Sequence, residues 1–335
     1  MAATGNGKKA CVVGGSGFVA SFLVKLLLDK GYSVNTTVRD PNNKNKVSHL
    51  EELKSSGDLK LFRADLTDEA SFDAPISGCN YVFHVATPVN FASQDPENDM
   101  IKPAIQGVLN VLKACKKANV KRVVLTSSAA AVSANKLEGT GLVMDESNWT
   151  DVEFLSTEKP PTWGYLVSKT LAEKAAWKFA EENNIDLITI MPTLMSGVPL
   201  TSDIPSSMNL AMAPIMGNEF LIGALKGMQM ISGSISITHV EDTCRAHIFL
   251  AEKETASGRY NCCGANTSLP KLAKFLKNRY PQYDVVTEFG DFPSKEKLIL
   301  SSDKLVKEGF SFKYTIEDIY DQSIEYFKEK GLLKI

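Results

Sequence analysis

Gly14-Gly15-Ser16-Gly17-Phe18-Val19-Ala20 directly follows a short apolar run, Ala10 to Val13, and opens a helical pattern. In that pattern Phe18, Phe22 and Leu26, and beside them Val19, Leu23 and Leu27, recur every four residues until Gly31 marks the end. The stretch reads G-x-x-G-x-x-A between a strand and a helix. Glycines there permit a tight turn and let the backbone approach a pyrophosphate. The helix N-terminus adds amide donors and partial positive charge. A glycine triplet alone is a weak signal; strand, loop and helix in this order point to a dinucleotide site.

The alternation continues downstream. Tyr32 to Val38, Leu59 to Phe62, Tyr81 to Val85, Arg122 to Thr126 and Asp186 to Met191 read as strands, and Asn98 to Ala118 and Trp163 to Asn183 as long helices. This order predicts an α/β fold, a Rossmann doubly wound parallel sheet covered on both faces, with a smaller C-terminal substrate-binding lobe. The pattern changes after Pro192: Met195 to Gly233 is rich in Met, Gly and Pro and reads as helices and loops. The expected division is a cofactor domain over residues 1–192, completed by about 235–262, and a mainly substrate-binding lobe over 193–335. In that division His239 to Leu250 returns to the main domain as a loop and helix.

The second strand bears on the cofactor. Enzymes that use NAD usually end this strand with Asp or Glu, which binds the ribose hydroxyls. Here it ends Thr37-Val38-Arg39-Asp40. Arg39 can pair with a 2′-phosphate and stack on adenine, Lys44 and Lys46 add charge, and Asp40 comes one residue late for the acidic role. The cofactor implied is NADPH. Asp65-Leu66 follows the third strand, where an adenine edge would lie, and Val85-Ala86-Thr87 ends the fourth, beside the cofactor ribose.

Tyr165-Leu166-Val167-Ser168-Lys169 is Y-x-x-x-K within a helical pattern, so phenol and ammonium share one face a turn apart. A group that accepts hydride needs a proton donor, and an unperturbed tyrosine is a poor one, with a pKa near ~10. A close ammonium is expected to lower that value. Thr126-Ser127-Ser128 ends the fifth strand and would place a hydroxyl beside the tyrosine, Ser128 being preferred to Ser127.

Composition fits this reading. The 335 residues are 44% hydrophobic and 23% charged, with a formal net charge of −2 and a pI of about 6.2. That balance gives no broad footprint for nucleic acid or an anionic membrane. Met1 to Lys9 lacks an apolar signal core, and no apolar run is long enough to span a bilayer. The expectation is a cytoplasmic enzyme for a small-molecule substrate, without nucleic acid or membrane insertion, and a monomer or weak homo-oligomer. The six cysteines read as reduced, mostly buried thiols. His49, His84, His239 and His247 show no convincing ligand spacing with acids, so no metal site is expected.

Beyond single motifs, the segments Ala10 to Leu28, Asn35 to Pro41, Phe62 to Asp68, Tyr81 to Asn110, Arg122 to Val132, Asp145 to Phe154 and Trp163 to Leu194 resemble plant flavonoid reductases of the extended short-chain dehydrogenase/reductase family. Val12 to Gly15, Pro160 to Tyr165 and Gly227 to Ser234 resemble the anthocyanidin-reducing members more than the dihydroflavonol-reducing ones. The resemblance implies NADPH-dependent reduction of an anthocyanidin, such as cyanidin, to a flavan-3-ol, such as epicatechin, in flavonoid and proanthocyanidin biosynthesis. It implies cofactor residues at Gly14, Gly17, Phe18, Val19, Arg39, Lys46, Asp65, Leu66, Val85, Ala86, Thr87, Pro192, Thr193 and Leu194, and catalytic residues at Ser128, Tyr165 and Lys169.

Two places in the chain depart from relatives. Dihydroflavonol-reducing members carry an asparagine that grips the flavonoid; the position falls here on Ser133, the candidate substrate residue. Leu166-Val167 stands where anthocyanidin-reducing relatives tend to have proline and a small residue. The competing readings are reduction of a C4 ketone in a dihydroflavonol, reduction of a cinnamoyl thioester, and a non-catalytic NADP-binding redox sensor. The first is opposed by Ser133, the second by the absence of an asparagine–tryptophan–tyrosine–cysteine run, and the third by the intact Ser128, Tyr165 and Lys169.

Overall fold

The computed structural model describes residues 7–91, 93–136, 138–139 and 141–333; of the leading segment Met1 to Lys9, residues 1–6 lie outside the described residues. Its strands are β1 (Lys9–Val13), β2 (Ser33–Val38), β3 (Leu59–Arg63), β4 (Tyr81–His84), β5 (Arg122–Thr126), β6 (Leu142–Met144), β7 (Leu187–Pro192), β8 (Leu194–Ser196), β9 (Ile235–His239), β10 (Gly258–Cys262), β11 (Ala265–Thr267) and β12 (Leu298–Leu300). The α-helices in the first half are α1 (Phe18–Asp29), α2 (Lys44–Leu53), α3 (Asp73–Ile76), α4 (Lys102–Lys117), α5 (Val152–Glu158) and α6 (Trp163–Asn183). Those that follow are α7 (Ser206–Ala211), α8 (Ala213–Met216), α9 (Glu219–Ser232), α10 (Val240–Glu252), α11 (Leu269–Arg279), α12 (Asp303–Lys307) and α13 (Ile316–Glu329).

Seven parallel strands form the main sheet in the order β3-β2-β1-β4-β5-β7-β10. The order reverses between β1 and β4, and ligands of open α/β sheets bind at the strand C-termini beside such a switch point. Strands alternate their side chains between two cores. Val12 and Phe83 pack with Leu23, Leu27 and Cys244 under α1 and α10; Cys11 and Val82 pack with Val111, Leu112 and Ala176 under α4 and α6. Each fully buried Val, Leu or Phe is worth about 1.5–3 kcal/mol, so the two faces together fix the sheet's register.

The strands read from the sequence agree with the structure to within a residue or so at each end. The helix expected over Asn98 to Ala118 begins as one π turn, Glu97–Ile101, before α4 takes over. Gly31, at φ +79°, ends α1: its N–H reaches the Leu28 carbonyl, and the Tyr32 N–H reaches Leu27.

The region after Pro192 holds more strand than its composition suggests. β11, β9 and β8 form a small three-stranded sheet, and β10 adds a seventh strand to the main one. A second core lies here, with Met208, Met212, Leu225, Leu272, Tyr320 and Phe327 among its buried side chains. Among the described residues no helix is long and apolar enough to cross a membrane.

Candidate active site

The glycine loop turns on close contacts. Gly14 sits at φ +93°, and a Cβ there would lie 2.8 Å from that of Ala86. At Gly15 a Cβ would meet the Thr36 hydroxyl at 2.1 Å. The Gly15 N–H donates to the Thr37 carbonyl at 2.8 Å, and that of Gly17 to Gly14 at 3.0 Å. The loop is thereby pinned against β2 and the end of β4. Gly17 caps α1 with no side-chain acceptor, and no acid stands in the first turn. The amides of this N-terminus are therefore available to a phosphate, so the loop suits a dinucleotide.

Arg39 is exposed at the end of β2. It lies close enough to Asp65 to help hold that carboxylate below its usual range, after the larger effect of the Thr67 amide and hydroxyl. Lys46 pairs with Asp203 and lines a cleft of about 150 Å³ with Ser16, Phe18, Asn45, His49 and Asp203. Leu66 is held by Asn110, whose amide donates to its carbonyl at 2.8 Å. Val85 and Ala86 both donate their N–H to the Val13 carbonyl, which sets this stretch beside the glycine loop. Thr193 is buried, its hydroxyl 2.7 Å from that of Thr238, and Pro192 and Leu194 flank it at the end of β7.

Ser128 and Ser127 part company. The Ser127 hydroxyl is buried and donates to Glu173 at 2.6 Å. Ser128 is less buried: its Oγ accepts the Ala130 N–H at 3.1 Å, and its hydroxyl is near enough to the Tyr165 phenol to hold that pKa down. Lys169 is buried one turn along α6, its Nζ donating to the Thr126 carbonyl at 3.3 Å. Both groups thus lie at the C-terminal end of β5, Lys169 against the Thr126 carbonyl and the phenol near Ser128.

The expectation that Lys169 lowers the Tyr165 pKa meets a larger effect. Burial raises it, and the opposing influence is the Ser128 hydroxyl. The phenol is therefore protonated at neutral pH, the form a proton donor must have. Burial pushes Lys169 down to about 8, while Glu173 favours its charged form. His84, at the end of β4, is pushed down to about 3 by burial and then by Lys169, so it is neutral here.

Glu173 was not singled out from the sequence. It lies four residues beyond Lys169 on α6, fully buried, and accepts from Ser127, from Thr189 at 2.7 Å and from Arg259 Nε at 2.8 Å. Arg259, on β10, also donates to the carbonyls of Glu146 and Asn148 and lies 3.5 Å over the Trp149 ring. The four-residue step from Lys169 was the available signal for Glu173; nothing local marked Arg259.

Ser133 does not stand in the cleft as Ser128 does. It is 5% exposed and its hydroxyl donates to the Ala129 carbonyl at 3.1 Å. Leu166 and Val167 are buried with Ile101, Ala134 and Leu155, behind the tyrosine. All six cysteines are free and buried, and burial raises each thiol, Cys79 to about 11 and Cys263 to about 12. His239 caps α10 through the Glu241 N–H and stacks on Tyr314 at 3.7 Å, and His247 bonds Thr126 and Thr243.

A dinucleotide loop at the switch point, with a tyrosine, lysine and serine at the next strand's end, defines an NAD(P)-dependent enzyme of the extended Rossmann type. The chain belongs to the NAD dependent epimerase/dehydratase family, whose pattern matches residues 10–263. It is 77% identical over 328 residues to an anthocyanidin reductase ((2S)-flavan-3-ol-forming) of Vitis vinifera, covering 98% of this chain and 97% of that one. The structure is similar to vestitone reductase from alfalfa, with a TM-score of 0.83 and 39% identity, covering 97% and 99% of the two chains. It is also similar to yeast methylglyoxal/isovaleraldehyde reductase complexed with NADPH, with a TM-score of 0.82 and 25% identity, covering 97% and 100%.

Proposed function

We propose that this chain is an NADPH-dependent oxidoreductase that reduces anthocyanidins such as cyanidin to flavan-3-ols such as epicatechin, in flavonoid and proanthocyanidin biosynthesis. What supports the reading is the Ser128 hydroxyl acting on the Tyr165 phenol, with Lys169 against Thr126 at the end of β5, in a chain 77% identical to a grape anthocyanidin reductase.

NADPH supplies, when bound, the hydride. Gly14, Gly17, Phe18 and Val19 hold its pyrophosphate at the α1 N-terminus, and Arg39 with Lys46 its 2′-phosphate. Asp65 and Leu66 border the adenine, Val85, Ala86 and Thr87 the ribose, and Pro192, Thr193 and Leu194 the nicotinamide end. Lys169 binds the nicotinamide ribose. Tyr165 gives the proton, oriented by Ser128. The lobe over 193–335 covers the flavonoid; Ser133, buried with its hydroxyl on the Ala129 carbonyl, offers no amide of the kind a dihydroflavonol would use. The enzyme acts in the cytoplasm, as a monomer or weak homo-oligomer.

From a flavylium cation to a flavan-3-ol the balance is two hydrides and one proton, which takes two molecules of cofactor. Incubation with NADPH and cyanidin, followed by chromatography, tests the reading: a flavan-3-ol is expected. Turnover of a dihydroflavonol with none of cyanidin would overturn it.

A further inference from the structure

Phe91 lies on the loop that leaves β4 toward the active site, and its side chain is 54% exposed. An exposed phenylalanine alone means little. This one touches the proton donor: its ring centroid is 5.3 Å from that of Tyr165, with the planes tilted by 56°. Whatever approaches the phenol from that side meets this ring.

The loop is held there by packing. A Cβ at Gly164, the residue before Tyr165, would lie 2.3 Å from Pro96 Cβ, 3.0 Å from Pro96 Cγ and 3.1 Å from Met100 Cε. Only glycine lets Pro96 seat directly on the first turn of α6. Met100 Sδ accepts the Asn90 N–H at 3.3 Å, and Ser93 donates to Asp99 at 2.6 Å. The chain then enters α4 through the π turn Glu97–Ile101, a device often found at functional sites. Phe91 is thus carried on a braced loop that is anchored to the tyrosine's own helix.

We infer that Phe91 is the aromatic wall of the substrate site and a determinant of specificity for flat, cationic flavonoid rings. The inference rests on the proposed anthocyanidin substrate. A flavylium ring is planar and electron-poor, so a benzene face attracts it by stacking and by cation–π interaction. The flavan-3-ol product is neutral and its pyran ring is puckered, so it loses the cation–π attraction and keeps only the stacking of its separate benzene rings. Phe91 therefore favours substrate over product at the phenol.

The test is steady-state kinetics on Phe91→Ala, Phe91→Leu and Phe91→Tyr, with NADPH affinity by fluorescence and Tm as controls. Because the side chain is half in solvent, folding should be kept. Phe91→Ala is expected to raise KM for cyanidin about tenfold while changing kcat much less, with Phe91→Leu between and Phe91→Tyr near the wild type. NADPH affinity should not move. Gly164→Ala displaces the wall through Pro96, so it should raise KM too, and the double variant with Phe91→Ala should add little. An unchanged KM in Phe91→Ala, equal effects of Ala and Tyr, or full additivity in the double variant would overturn the inference. A wild-type chain that ignores cyanidin would sink the substrate reading instead, which separates the two failures.

Discussion

Between β1 and β2 the cleft is shaped by side chains that are missing. Gly14 and Gly15 leave room for Ala86 and Thr36, α1 has no side-chain cap, and Arg39 stands in solvent. Between β5 and α6 the cleft is shaped by charges taken out of water. Lys169, Glu173 and Arg259 are all buried, and Glu173 alone ties together β5, β7 and β10. A cofactor that brings its own charge needs an open, polar seat. A proton donor needs a fixed, dry one, and the surrounding ions must then satisfy each other.

The largest expected effect attacks the buried side of this contrast. Glu173→Gln leaves the Arg259 guanidinium without its carboxylate, which should cost about 3–5 kcal/mol of stability. Urea unfolding measures it; a loss below about 1 kcal/mol would mean that the backbone carbonyls of Glu146 and Asn148 suffice for Arg259. Tyr165→Phe removes one oxygen and keeps the ring against Phe91. Turnover should fall roughly 10²-fold with NADPH binding intact; near-normal turnover would assign the proton to another group or to water.

Arg39→Ala probes the exposed side. NADPH should bind about tenfold more weakly and NADH little differently, since the loss is of charge-assisted bonds to one phosphate. Equal losses in binding titrations would remove the arginine from that role. The smallest effect is a pH dependence. Lys169 is charged below about 8 and neutral above. NADPH affinity should therefore fall by about threefold as pH rises through that value, and Lys169→Met should flatten the step. A step that persists in the variant would belong to a different group.

The legible parts of the molecule were local ones. The glycine loop, the strand ends and the Tyr165–Lys169 spacing each lie within a few residues, so periodicity and turn chemistry report them. The sequence preferred Ser128 to Ser127 without a physical reason; the hydrogen bond from Ser127 to Glu173 supplies one. The Glu173–Arg259 pair spans 86 residues and Lys46–Asp203 spans 157, and no pattern along a chain encodes such meetings. β8 and β11, of three residues each, were too short to show a period, and β9 follows directly on the Met- and Gly-rich stretch that reads as helix and loop. Ser133 was placed by analogy of position, yet its hydroxyl is spent on the Ala129 carbonyl.

One cofactor loop has to serve two reductions if the substrate is an anthocyanidin, so the count of cofactor per product is the central quantity. The measurement is NADPH loss by absorbance against flavan-3-ol by chromatography, starting from cyanidin, with a deuteride-labelled cofactor to locate the transfers. Two NADPH per product, with label at two carbons of the pyran ring, is the expected result. One NADPH per cyanidin consumed, with label at a single carbon and no flavan-3-ol, would contradict it and limit the Ser128, Tyr165 and Lys169 grouping to a single hydride transfer.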